Sequence, residues 1–146
     1  MRHGGPFMRA TVFDAYPMPP CAKLLGWQLL DHDAAKGWAR LSFEARAEFL
    51  NPAGFVQGGF VAAMLDDTMG PAVFLMTEGR SYTVTVNMNV TYLAPARAGR
   101  LFGEGQVVQL GKTIAFLEGR LCDGEGRLIA TATSSARLVP VEKLAA

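Results

Sequence analysis

The stretch Asn51-Pro52-Ala53-Gly54-Phe55-Val56-Gln57-Gly58-Gly59-Phe60-Val61-Ala62-Ala63-Met64-Leu65-Asp66-Asp67 passes from a loop of glycine and proline straight into an apolar helical pattern. From Phe60 the apolar positions recur at Val61, Met64, Leu65, Met69, Val73 and Met76, which is the spacing of one helix face. The helix therefore starts near Gly58 and Gly59. Neither has a Cβ, so a ligand can come close to the first unpaired N–H groups of the helix, where the macrodipole is positive and a developing negative charge is held. Asp66 lies about two turns further on, on the side of Gly59, Ala62, Ala63 and Gly70. A carboxylate on a face of small residues is one that something else approaches closely. Gly70-Pro71 predicts a kink or break before the pattern ends near Thr77.

Outward from this stretch, the period changes. After Glu78-Gly79-Arg80 the even positions Tyr82, Val84, Val86, Met88, Val90 and Tyr92 are apolar, while Thr83, Thr85, Asn87, Asn89 and Thr91 between them are polar. That alternation predicts a strand with one apolar and one polar face. Pro95 to Gly99 reads as a turn into a strand from Leu101 to Leu110, whose Gly103 and Gly105 suggest close backbone approach or a bulge. Strands over Thr113 to Cys122 and Arg127 to Val139 follow, joined by the turn Asp123-Gly124-Glu125-Gly126. Four consecutive strands with short turns predict a meander. On the N-terminal side, residues 26–31 and 37–43 read as a hairpin, preceded by a short helix over Cys21 to Leu25 and a helical turn near Arg9 to Ala15. The division expected is a loosely docked arm over 1–19, one domain over 20–140 and a tail over 141–146. A hairpin, one long helix and four long strands make an α+β fold in which a single helix covers one sheet of about six strands.

The chain has 146 residues, half of them hydrophobic, and a formal net charge of +1. One well-packed domain is expected, and no basic run points to a polyanion partner such as nucleic acid. No apolar run reaches the ~20 residues of a membrane span, and Met1 to Arg9 lacks the apolar centre of a signal peptide, so a cytoplasmic protein is expected. Cys21 and Cys122 are too few for a disulfide framework, form no metal-ligand spacing, and read as buried or half-buried thiols. His3 in the arm and His32 in a turn read as solvated loop histidines.

In order and in residues the chain resembles the hotdog-fold acyl-CoA thioesterases of the phenylacetate-pathway, PaaI-like, branch, in which a curved antiparallel sheet wraps one long central helix. The resemblance covers about Leu24 to Leu138. It rests on Asn51, Gly54-Phe55-Val56-Gln57-Gly58-Gly59 and Leu65-Asp66, with support from Val86-Asn87-Met88-Asn89-Val90-Thr91-Tyr92-Leu93-Ala94-Pro95 and Gly124-Glu125-Gly126-Arg127-Leu128-Ile129-Ala130. It implies that Asn51 and Gln57 contact the thioester region, Gly58 supplies an oxyanion-hole N–H, Asp66 is the catalytic carboxylate, and Thr85 helps hold the attacking water. It also implies a homodimer or homotetramer with the site at a subunit interface. Gln57 stands where the family usually has the histidine of His-Gly-Gly. That change removes an imidazole and leaves the backbone donor and the carboxylate in place.

Thioester hydrolysis passes through an oxyanion, so rigid donors at a helix N-terminus suit it, and a carboxylate part-way along the helix can either take a proton from water or attack the carbonyl carbon. Gln57 can donate a hydrogen bond without titrating. The reading is an acyl-CoA thioesterase for a small or medium acyl group, aromatic ones included, with no cofactor beyond the CoA of the substrate. The alternative is a non-catalytic hotdog module that binds acyl-CoA. Gly59 lies at the approach to the loop and Met64, with Met69, near the carboxylate, where they could line an acyl slot; both methionines also read as core filler. Arg97 and Lys112 are placed among the cations for the CoA phosphates, with Arg80, Arg100 and Arg137 as further candidates. Asp67, turned about 100° from Asp66, is expected to be structural or solvated.

Overall fold

The computed structural model describes residues 10–144; His3 and Met8 lie outside them. A 3₁₀ turn, Val12–Ala15, precedes helix α1 (Pro20–Leu25). Strands β1 (Gln28–Asp33) and β2 (Trp38–Ala45) form the hairpin, and helix α2 (Gly58–Met76) follows a loop. Strands β3 (Ser81–Tyr92), β4 (Gly99–Leu110), β5 (Ile114–Cys122) and β6 (Leu128–Pro140) complete one antiparallel sheet in the order β1-β2-β4-β5-β6-β3.

That order corrects the expected meander. Strands β4, β5 and β6 do follow one another, but β3 pairs with β6 at the outer edge and β4 pairs with β2. The segment Leu93 to Ala98 is a crossover rather than a tight turn, because Ala96 is buried and its carbonyl accepts from Val56 N–H at 2.8 Å. The crossover thereby ties itself to the loop in front of α2.

Helix α2 lies in the curve of the sheet. Val61, Met64, Leu65, Thr68, Met69, Ala72, Val73 and Leu75 are its buried positions, an i, i+3, i+4, i+7 stripe facing the sheet. Its length and mean hydropathy of 1.3 would suit a membrane span, although it carries two aspartates; here the sheet covers its apolar stripe. Close approach is set by glycine. A Cβ on Gly103 would meet Thr68 Oγ1, and one on Gly105 would meet the Thr68 carbonyl, so β4 and α2 pack backbone against backbone there. Thr68 Oγ1 itself donates to Met64 O at 2.7 Å, which satisfies a hydroxyl buried without water.

The expected break at Gly70-Pro71 does not occur, and α2 runs unbroken through Pro71. Proline removes the N–H that would have bonded the carbonyl four residues back, which is Asp67 O. Trp27 Nε1–H donates to that carbonyl at 3.0 Å and replaces the missing helical donor.

The alternation in β3 also needs correcting. The register shifts between Thr85 and Asn87, a bulge that leaves Val86 as the extra residue. Before it, the odd positions face α2: Thr85 bonds Asp66, and Thr83 Oγ1 lies 3.1 Å from where a Gly70 Cβ would be. After it, Met88 and Val90 pack toward the core and Tyr92 reaches Gly58. The strand thus has no single apolar face, and Tyr82, Val84 and Val86 are exposed at 48, 49 and 63 %. Cys21, expected to be at least half-buried, is exposed, and Cys122 is half-buried. The described part of the arm is docked, with Val12, Phe13 and Met18 packed against the core.

Candidate active site

The loop before α2 is built by its own side chains. Asn51 Oδ1 accepts from Ala53 N–H at 3.0 Å and Phe55 N–H at 3.1 Å, and Asn51 N–H donates to Phe55 O at 2.7 Å. Asn51 therefore shapes the loop with its acceptor and keeps only its amide N–H groups for a ligand. Gln57 is the N-cap of α2: its Oε1 accepts from Gly59 N–H at 2.7 Å. The carbonyl end of the amide is spent on the helix, and the Nε2 donors remain.

Gly58 is the first residue of α2, and its N–H has no acceptor among the described residues. Gly59 N–H is occupied by the cap, so Gly58 is the open donor at this positive helix end. Tyr92 Oη donates to Gly58 O at 2.7 Å and its ring lies 3.3 Å from where a Gly58 Cβ would be, which fixes the peptide and leaves little room for a side chain. Arg97 stands beside this loop with its guanidinium 5.4 Å from the Phe55 ring centroid.

Asp66 sits on the exposed side of α2, and Thr85 Oγ1 donates to its Oδ1 at 2.8 Å across the gap to β3. The Val86 bulge is what aims Thr85 at α2. Asp67 is half-buried, and its Oδ2 is buried with no hydrogen-bond partner among the described residues. Burial, and then the neighbouring Asp66, push its pKa up from 3.8 to about 7. Both carboxylates open on a cleft of about 850 Å³ bounded by α2, the arm, α1, β3 and the 3₁₀ turn Val141–Lys143. Apolar and aromatic side chains dominate its walls, and among the described residues no lysine, arginine or histidine lines it.

Other sequence candidates lie elsewhere. Met64 and Met69 are fully buried in the core and do not line the cleft, so the expected acyl slot is not theirs. Lys112 is exposed in the β4–β5 turn, at the opposite end of β4 from the Gln57 loop. Arg100 donates to Ser42 Oγ at 3.1 Å, and Arg80 faces Glu78 at 3.6 Å. The arrangement also contains residues the sequence reading passed over. Trp27 carries the Asp67 carbonyl, Tyr92 holds Gly58, and Phe13 and Tyr16 of the arm wall the cleft. A proline four residues after an acid, with a tryptophan elsewhere needing an acceptor, was the one signal available for the first.

A helix cradled by a curved six-stranded antiparallel sheet is the hotdog fold. The family model of the thioesterase superfamily matches residues 53–130, more than half of the chain. The chain belongs to the thioesterase superfamily. It is 34 % identical over 99 residues, 66 % of this chain and 70 % of the other, to acyl-coenzyme A thioesterase 13 of Homo sapiens. Among solved structures, a phenylacetic acid degradation-related protein of Ralstonia eutropha superposes with a TM-score of 0.81 at 34 % identity, covering 86 % of this chain and 95 % of that one. A Streptococcus mutans protein solved with acetyl-CoA bound shares the fold at TM-score 0.67 and 21 % identity, covering 78 % and 89 %.

Proposed function

We propose that this thioesterase hydrolyses small or medium acyl-CoA, aromatic acyl groups included, with Asp66 as general base or nucleophile and Gly58 N–H as oxyanion donor. The observation that carries the reading is the Asp66–Thr85 pair at the cleft, a carboxylate with a hydroxyl 2.8 Å away. In the general-base course, water held by the pair gives a proton to Asp66 as its oxygen bonds to the carbonyl carbon. The carbonyl electron pair moves to oxygen, facing the Gly58 N–H. Collapse breaks the C–S bond, the electrons leave with sulfur, and the proton passes from Asp66 to the thiolate. In the nucleophilic course an Asp66 oxygen forms the bond, the thiolate departs, and water hydrolyses the mixed anhydride. Both courses balance with water alone.

One chain cannot apply both groups to one carbonyl. Gly58 and Asp66 are eight residues apart on α2, about 12 Å along the axis, whereas the reacting centre must lie about 3 Å from each. This supports a homodimer in which Asp66 of one copy works with the Gln57-Gly58 loop of a second. The free edge of β3, with Tyr82, Val84 and Val86 exposed, supports edge-to-edge pairing. In that assembly Arg97, beside the loop against Phe55, is the candidate for a CoA phosphate ahead of Lys112.

The test is an acyl-CoA hydrolysis panel with wild type and Asp66→Asn, alongside light scattering. Asp66→Asn should lower kcat by about 100-fold or more while the homo-oligomer persists. Undiminished hydrolysis would overturn the assignment of Asp66, and a stable monomer would overturn the shared site. A wild type that binds acyl-CoA and hydrolyses none of the panel would be the binding module instead.

A further inference from the structure

The cleft is walled by four aromatic rings that touch in series, from Trp27, whose indole bonds the Asp67 carbonyl, to Phe74 and Tyr16. Phe13 lies between Trp27 and Phe74, with centroids at 5.3 and 5.0 Å, and Tyr16 meets Phe74 edge-on at 5.7 Å. Two of the four come from the arm, outside the stretch that the family model matches. The arm is held in shape there. Thr11 Oγ1 accepts from Phe13 N–H at 3.2 Å and Asp14 Oδ2 accepts from Thr11 N–H at 2.8 Å, a reciprocal cap on the turn Val12–Ala15. Phe13 is thus presented by a capped turn and wedged into the core side of the cleft rather than laid on the surface. Its position relative to the chemistry is fixed by α2: Phe74 follows Asp66 by eight residues, about 12 Å along the helix axis. Among the described residues, the charged side chains lining the cleft are Asp66 and Asp67, at the near end.

An acyl group whose carbonyl is held at Asp66 therefore has an apolar path of medium length that ends on rings. We propose that Phe13 is the specificity-determining residue of this chain: wedged between Trp27 and Phe74, it closes the far end of the acyl cleft and sets the longest acyl group accepted. The inference rests on the thioesterase reading, with Asp66 at the carbonyl.

The experiment is a series of straight-chain acyl-CoAs of increasing length, with kcat and KM determined separately for wild type, Phe13→Ala and Phe13→Trp. Each methylene newly buried is worth about 0.8 kcal/mol, or about fourfold in binding. Phe13→Ala should raise kcat/KM for the first lengths that wild type rejects by about tenfold or more relative to the lengths it accepts, through KM. Phe13→Trp should move the cutoff to shorter chains. If Phe13→Ala does not fold, Phe13→Leu takes its place, with a smaller shift in the same direction. Folded variants with the wild-type length profile would overturn the proposal. If wild type hydrolyses no member of the series, the thioesterase reading fails separately. Calorimetric dissociation constants for the same series then decide the wall: a length-dependent shift in the variants supports it, and unchanged constants overturn it.

Discussion

Replacing Asp67 by Asn should stabilise the protein, and only above about pH 4. In the native state Asp67 holds its proton up to about pH 7, whereas in the unfolded chain it releases it near 3.8. Between those values the native state binds one proton more than the unfolded state, so stability falls as pH rises through this window and levels off above it. A gap of roughly three units corresponds to about 4 kcal/mol at most, and solvent at the open side of the cleft reduces this to about 2 to 4 kcal/mol. Asparagine has nearly the same shape and no charge to desolvate, so it removes the slope. The assay is urea unfolding of wild type and Asp67→Asn from pH 4 to pH 8 at one protein concentration, because dissociation of an oligomer would otherwise enter the result. The difference between the two proteins cancels every titrating group not coupled to Asp67, which leaves Asp66 as the neighbour that shares in the result. It should be near zero at pH 4 and reach its full value, in favour of the variant, by pH 8. A difference that does not change with pH, or a variant less stable at pH 8, would refute the argument that an unpaired, desolvated carboxyl sits in this wall.

Trp27→Phe should cost about 1 to 3 kcal/mol, since it leaves the Asp67 carbonyl without a donor. Pro71→Ala restores the helical N–H, so it should recover most of that loss in the Trp27→Phe background, measured as a double-mutant cycle by urea unfolding. Thr85→Val keeps the shape of the side chain and removes the hydroxyl that donates to Asp66 Oδ1. Acyl-CoA hydrolysis should then fall by about tenfold or more with the far-UV circular dichroism of the sheet retained, and full activity would show that this hydroxyl takes no part in the chemistry.

The elements were legible in the sequence because each had a clean period: the helical stripe of α2, the alternation in residues 82–92, and the glycine-bearing turns around β5. Their arrangement was less so. Strand neighbours were read from chain order, but β3 finds its partner 50 residues downstream, and short connections say nothing of a crossover held by one buried Ala96. The faces of β3 were misread from Tyr82 to Thr85, ahead of the bulge, because one extra residue reverses parity without any change in composition. The break expected at Pro71 failed for a tertiary reason, an indole from a distant segment. At the site, Gly58 and Asp66 could be picked out by their local setting, helix start and small-residue face. What Gln57 and Asn51 do with their amides, and the burial of Asp67, depend on contacts that no spacing encodes.

The strand order also governs when the molecule can become whole during synthesis. Strand β3 bonds only to β6, whose last paired residue is Pro140. A growing chain can assemble β1, β2, β4 and β5 around α2, yet β3, twelve residues long, has nothing to pair with until β6 has emerged. Pairings so distant along the chain are slow to close, and an open strand with four exposed apolar or aromatic side chains is the species most prone to wrong association meanwhile. The C-terminal strand is the closing piece of the sheet, and a chain cut before it would lose the order of β3 and, with it, the Thr85 end of the site.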